Sequence, residues 1–287
     1  MPAAEPRLIA PAQTCDSHIH IYDPTKPLAP TAAGPGPAWA NVAAYRAVQR
    51  RLGSTRAVVV QATAYGTDNS CTVEAIAALG SDNTRGVAVV GPDISDAELQ
   101  HLTDAGIRGA RFQMLPGGAL PWDALEPVAS RIAGFGWHIQ LQMDGRLLAE
   151  REAQLKRLPG TLVIDHVGKF LEPVPVEHPG FQTLLRLIDG GRTWLKLAAA
   201  YETSKAGAPL YPDVGALAKA AVSAAPERMI WASNWPHVSV KDLPDDAALL
   251  DLLLDWAPDE VVRHRILVEN PAALYDFPPA DQARHSG

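Results

Sequence analysis

Cys15-Asp16-Ser17-His18-Ile19-His20-Ile21-Tyr22 is the first strand-like run of the chain, and its reading decides the fold. Side chains alternate faces along a strand, so His18 and His20 point into one space, with Asp16 expected one step below them. Two imidazoles directed together can bind a metal, relay protons or donate hydrogen bonds. The plain alternative is a half-buried strand whose histidines are satisfied structurally. An open, doubly wound sheet usually carries a Gly-rich phosphate loop after its first strand, and here that position holds the two histidines instead.

Downstream, residues 23–40 contain Pro24, Pro27, Pro30, Pro35 and Pro37, so they form neither helix nor paired strand. So long an irregular connection is either a lid or binding loop, or a flexible surface insertion. A helix is expected over 42–52, and then a rhythm sets in. Short apolar runs at 57–62, 86–90, 106–113, 137–142, 161–166, 194–198 and 229–234 alternate with amphipathic stretches, and Ser95 with Glu98 forms a capping box. Counting the first strand, that makes eight strand–helix units, closing with helical sequence over 245–275. Continuous apolar strands suit a parallel sheet covered by helices, and eight units suit a closed (β/α)8 barrel. The expectation is one distorted TIM-like barrel over 14–277. A disordered-looking tail over 1–13 precedes it, a tail over 278–287 follows, the Pro-rich loop comes after the first strand, and extra helices close the C-terminus.

Composition limits the partners. The chain has 287 residues, 47% of them hydrophobic, a net charge of -7 and a pI near 5.7, which argues against nucleic acid or an anionic membrane. Two cysteines, Cys15 and Cys71, give no disulfide framework, and no stretch reads as a signal peptide or membrane span. A cytoplasmic protein is expected.

In a barrel, catalytic groups sit at the C-terminal strand ends. Polar residues at those ends are His18 and His20 on the first strand, Gln61 on the second, Arg111 on the fourth and Gln140 with Gln142 on the fifth. His166, Lys196 and Asn234 follow on the sixth to eighth, with His237 just beyond. Strongly polar groups are costly inside strands unless paired or facing a wet cavity, so a polar pocket is expected. Singly, Arg111 could instead pair with Asp16 or Asp165, and Lys196 could snorkel to the rim. His138 lies at the far end of its strand and reads as structural.

These motifs, with Ile164-Asp165-His166-Val167-Gly168-Lys169, Trp231-Ala232-Ser233-Asn234-Trp235-Pro236-His237 and Glu269-Asn270-Pro271-Ala272-Ala273-Leu274-Tyr275, resemble the amidohydrolase superfamily. Within it they are most similar to the metal-independent, lactone-acting branch of 2-pyrone-4,6-dicarboxylate lactonases and galactarolactone isomerases. The resemblance implies a lactone carbonyl as electrophile, His18, His20 and His166 facing it, Arg111 on a substrate carboxylate, and sugar-acid or aromatic-acid catabolism as context. Gln61, Gln142, Lys196 and His237 would line the substrate. Metal-dependent members place a fifth-strand histidine, a fourth-strand carboxylated lysine or glutamate and an eighth-strand aspartate where this chain has Gln142, Arg111 and Asn234, so neither metal nor other cofactor is expected.

Asn234 is an amide and cannot act as the base that hydrolysis needs. An intramolecular acyl shift demands less, because the attacking hydroxyl is already held beside the carbonyl. The expected activity is therefore isomerisation of a sugar-dicarboxylic acid lactone, of the D-galactaro-1,5-lactone to 1,4-lactone type. The alternatives are metal-independent lactone hydrolysis and a catalytically dead barrel that only binds sugar acids.

Overall fold

The computed structural model describes residues 4–278. Eight strands among the described residues follow one another in a single parallel sheet: β1 (Cys15–Ile19), β2 (Arg56–Val60), β3 (Thr84–Ala88), β4 (Ile107–Gln113), β5 (His138–Gln142), β6 (Leu162–Ile164), β7 (Thr193–Leu197) and β8 (Met229–Trp231). The sheet curls on itself. Asn234 N donates to His18 O at 3.0 Å and His20 N to Trp235 O at 2.9 Å, which ties the end of β8 to β1 and closes the barrel.

Helices α1 (Val42–Leu52), α2 (Ser70–Leu79), α3 (Asp96–Asp104), α4 (Leu125–Ala133), α5 (Leu148–Arg157), α6 (Pro179–Asp189) and α7 (Pro212–Ala224) cross over between successive strands. Their caps follow the local sequence: Asn41 Oδ1 accepts from Ala44 N, and Ser95 Oγ from Glu98 N. Past β8 come the shorter α8 (Asp246–Asp251), α9 (Leu253–Trp256), α10 (Glu260–His264) and α11 (Asn270–Tyr275).

The apolar residues divide between two layers. Outward-facing strand residues such as Ile19, Phe112, Leu141 and Leu195 pack against helix residues such as Leu99, Leu125 and Leu184. Inside the barrel, Cys15, Val58, Val60, Val87, Val163, Trp194 and Ile230 pack against Tyr275 and Phe277, which arrive from the C-terminal segment. Arg56 and Arg85 lie over the Phe277 ring at 5.0 and 4.8 Å, and Tyr275 meets His138 edge-on at 5.3 Å. His138 thus belongs to this apolar floor, where burial pushes its pKa down to about 3. A filled floor leaves the opposite end, where the strands finish, as the place for chemistry.

Two local features differ from the reading of the sequence. Asp16 pairs with Ala57 and Ile19 with Val59, so β1 advances one residue more than β2 between those points. This bulge breaks the alternation that set Asp16 below the histidines. The Asp16 carboxylate instead accepts from Ser233 N (2.9 Å), Ser233 Oγ (2.6 Å) and Tyr45 OH (3.2 Å), stitching β1 to the segment after β8. Second, the N-terminal residues 4–13 are not detached: Leu8 is buried, and Asp251 accepts from Leu8 N at 2.8 Å and from Arg7 Nε at 3.0 Å. Residues 1–3 and 279–287, the greater part of the expected C-terminal tail, lie outside the described residues. No helix among the described residues is long and apolar enough to cross a membrane.

Candidate active site

His18 lies within the bulge and His20 just past the end of β1, and their side chains meet across 3.2 Å, Nε2 to Nε2. The neighbours fix both tautomers. His20 Nδ1 lies 2.8 Å from the Val60 carbonyl, which only accepts, so Nδ1 carries the proton and Nε2 of the neutral ring does not. His18 must then donate from Nε2, which leaves its Nδ1 to accept from Lys196 Nζ at 3.3 Å. Burial holds His18 well below the usual imidazole range and brings His20 down to about 3, with Lys196 and Arg111 respectively adding to the effect. Both rings are neutral, and every ring nitrogen of the pair is engaged within the protein.

His166 is different. Its ring centroid lies 4.9 Å from that of His18, yet its Nδ1 has no partner among the described residues. The backbone after β6 is sharply turned: φ is 55° at His166, 53° at Val167 and 48° at Lys169, all in the left-handed region, where β-branched Val167 is a genuine outlier. Such strain persists only where the surroundings over-determine it, and it is concentrated here at a strand end facing the site. Burial keeps His166 well below the ordinary imidazole pKa, so it too is neutral.

Lys196 does not snorkel to the rim. It is wholly buried, and Nζ donates to Ser17 O (2.8 Å) and Gln140 Oε1 (2.7 Å), with Asp165 Oδ1 at 3.8 Å. Burial lowers its pKa to about 8 against the opposing pull of Asp165. With those partners it supports His18 from within the protein, and a direct contact with substrate is corrected to that role. Gln61 is likewise spent: Nε2 donates to Gly66 O and Asp68 O, and Oε1 accepts from Thr72 Oγ1. It shapes the loop after β2 and has nothing left for a ligand.

Arg111 is held by neutral oxygens only. Nη1 donates to Gln61 O at 2.8 Å, and Nη2 to Gln113 Oε1 at 2.8 Å and Gln142 Oε1 at 3.2 Å, while Nε is unpartnered. Neither Asp16 nor Asp165 forms an ion pair with it. Beside it lies a void of about 10 Å³, room for about one water, lined also by Thr63, Gly66, Val89 and Gln113. A buried guanidinium without an anion is costly, and a substrate carboxylate that displaced the Gln113 or Gln142 amide oxygen would supply the missing partner. A wider cleft of about 580 Å³ lies between α1, α2 and the loop after β1, but it holds no imidazole and no guanidinium.

A polar chain crosses the ends of β6, β7 and β8. Glu202 pairs with Lys169 and accepts from Ser239 Oγ, and Asn234 Nδ2 donates to Tyr201 OH at 2.8 Å and to Glu202 Oε1 at 3.3 Å. Tyr201 OH lies 2.9 Å from His237 Nδ1, and His237 Nε2 lies 2.9 Å from Asp246 Oδ1. His237, expected on the substrate, has both ring nitrogens turned to protein partners. Tyr201, Glu202 and Lys169 are not singled out by the sequence; only their places just beyond strand ends mark them.

His18, Asp165 and His166 place ligand atoms within 4.8 Å of one another, a spacing that could suit a metal ion. Their chemistry does not fit one. The His18 nitrogens are both committed, and the Lys196 ammonium already stands beside Asp165 and His18, with Arg111 adding a second fixed positive charge to the site. A divalent cation would have to displace or neutralise these groups, so no step is derived through a metal.

Arg111→Met should leave the fold intact and raise KM for an acidic substrate by about tenfold or more, since a charge-assisted contact is worth about 1.5–3 kcal/mol. Thermal melting and steady-state kinetics on the same preparation check it. An unfolded variant would show that the arginine serves the scaffold.

Known proteins agree with this architecture. The family described as Amidohydrolase matches residues 15–277. A D-galactarolactone isomerase from Agrobacterium fabrum is 37% identical over 273 residues, covering 94% of this chain and 93% of that protein. A 2-pyrone-4,6-dicarboxylate hydrolase from Comamonas testosteroni is 35% identical, covering 95% of this chain and 93% of that protein. A crystal structure from Agrobacterium tumefaciens, in its apo form, superposes with a TM-score of 0.91 at 37% identity, covering 96% of this chain and 100% of the other. With its barrel, its strand-end histidines and a match over nearly its whole length, the chain belongs to the amidohydrolase family.

Proposed function

We propose that the protein is an enzyme acting on the lactone of a small dicarboxylic sugar acid, and that it shifts the ring from a 1,5- to a 1,4-lactone. The observation that carries the isomerase reading is the setting of Asn234. Its amide donates to Tyr201 and Glu202 at the end of β8, so it orients neighbours and cannot take a proton from water. The similarity to a D-galactarolactone isomerase supports the same reading. Hydrolysis is the second reading, favoured by the similarity to a 2-pyrone-4,6-dicarboxylate hydrolase.

In the proposed reaction Arg111 grips the free carboxylate and orients the ring. The lactone carbonyl sits against His166, whose neutral imidazole can donate to the oxyanion as it forms. His18 and His20, locked by Lys196 and the Val60 carbonyl, form a neutral wall that keeps this part of the site dry and fixed. A substrate hydroxyl attacks the carbonyl carbon, the tetrahedral adduct collapses, and the former ring oxygen leaves with a proton. Holding the hydroxyl and carbonyl together accounts for much of the acceleration, because the attack is intramolecular. Incubating the purified protein with D-galactaro-1,5-lactone and following the proton NMR spectrum tests the reading. Faster appearance of the 1,4-lactone is expected, and ring-opened acid as the first product would replace it with hydrolysis.

A further inference from the structure

The acyl shift leaves one requirement unassigned, a group to take the proton from the attacking hydroxyl. Asn234 cannot. His18 and His20 have no ring nitrogen to spare. Glu202 is a carboxylate at the right end of the barrel, but one oxygen is paired with Lys169 and the other accepts from Asn234 and Ser239.

The chain through Tyr201 has the opposite character, and its proton positions can be worked out. Asp246 Oδ1 accepts, so His237 Nε2 carries the proton and Nδ1 of the neutral ring offers a lone pair. The Tyr201 hydroxyl, 2.9 Å away, therefore donates to His237 Nδ1. Asn234 Nδ2 donates to the same phenol oxygen at 2.8 Å. That oxygen keeps a further lone pair, on a half-buried side chain at the barrel mouth. His237 is 3% exposed and Asp246 8%, so the carboxylate–imidazole–phenol series is enclosed apart from its phenol end. This is the logic of a nucleophile–base–orienting-acid triad, with the substrate hydroxyl as the fourth member.

We propose that Tyr201 is the catalytic base of the acyl shift, taking the proton of the attacking hydroxyl as its own phenol proton passes to His237 Nδ1. His237 and Asp246 act through it, and Asn234 fixes its oxygen by the amide hydrogen bond. Resting on the isomerase reading, the step balances. The new C1–O bond forms from the deprotonated hydroxyl, the C1–O bond to the old ring oxygen breaks, and the proton held on His237 returns through Tyr201 to that departing alkoxide. No water, oxidant or metal is consumed. The amide at position 234 then has a positive reason: it donates to the phenol oxygen, which an aspartate carboxylate in its place could not do.

The test uses the full-length protein and D-galactaro-1,5-lactone, with wild-type products identified by NMR first. Tyr201→Phe should lower kcat about a hundredfold or more, with KM within about threefold of wild type and an unchanged melting curve. His237→Gly should lose kcat similarly and regain at least about tenfold with added imidazole, but not with pyrazole, which has nearly the same shape and hardly any basicity. Rescue by both would make His237 a filler of space and overturn the relay. So would a Tyr201→Phe enzyme within about threefold of wild-type kcat, or a Glu202→Gln enzyme that alone loses activity. If Tyr201→Phe fails to fold, the rescue pair still decides. Wild-type ring opening refutes the isomerase reading, while the same variants, read on hydrolysis, still judge Tyr201 as base. Wild-type inactivity on every aldarolactone overturns both.

Discussion

His166→Ala is expected to lower turnover about a hundredfold or more, with little change in folding. Of the three imidazoles at the strand ends, His166 alone has a ring nitrogen with no partner among the described residues. His18 and His20 are tied to each other, to Lys196 and to the Val60 carbonyl. His166 can therefore meet a substrate without first breaking a protein hydrogen bond, and removing a donor aimed at a developing oxyanion typically costs about 10²–10³ in turnover. Because burial holds its pKa well below the ordinary range, the ring works as neutral imidazole. Protonation of His166 should accordingly leave no mark on the activity profile near pH 6.5. Single-turnover rates of the variant, with a pH series on the wild type, check both statements. A folded His166→Ala enzyme at wild-type rate would reduce the histidine to packing.

The contrast among the three histidines also shows what a sequence can carry. The strands were legible because each is a short apolar run between amphipathic stretches, a pattern that only a covered parallel sheet satisfies. His18, His20, Arg111, His166 and Asn234 were legible because charged or polar groups at the ends of such strands need a wet cavity or a partner. The bulge in β1 was not, since an extra residue in one strand is a backbone event with no residue of its own to announce it. That single insertion turned Asp16 from a supposed site neighbour into the clasp on Ser233 and Tyr45.

Lys196 is hard to place from sequence for a related reason. Both faces of β7 are apolar, with Trp194 inside the barrel and Leu195 and Leu197 outside, so hydrophobic alternation gives no sign of where the lysine points. The Tyr201–Glu202–Lys169 cluster was hidden by conformation. Left-handed residues at Val167, Lys169 and Ala199 turn the chain back over the barrel mouth, and Gly168 marks only the first of these turns, the one at Ala199 having no glycine to advertise it. Asp246 reaches the same place from the start of α8 by a loop whose sequence has no periodic signal.

The second large effect concerns which product forms. Wild-type turnover in ¹⁸O-labelled water should give 1,4-lactone without label at the acyl carbon, because the substrate's own hydroxyl is the nucleophile. Asn234→Asp should change that outcome, increasing labelled, ring-opened acid relative to isomerised lactone. The aspartate would bring a carboxylate able to accept a proton from water at the end of β8, and it would take away the amide that donates to Tyr201 OH. Its surroundings set the conditions. The replaced nitrogen lies 3.3 Å from Glu202 Oε1, so two carboxylates would share the site beside Lys169, which is already paired with Glu202. Like charges at that distance raise a carboxyl pKa, so the gain in hydrolysis should grow as the pH rises through the new group's titration. Neutralising the neighbour in an Asn234→Asp, Glu202→Gln double variant should move that rise to lower pH. Acyl-carbon label already present in the wild-type product would mean that water enters the native reaction, and the acyl shift would have to be abandoned.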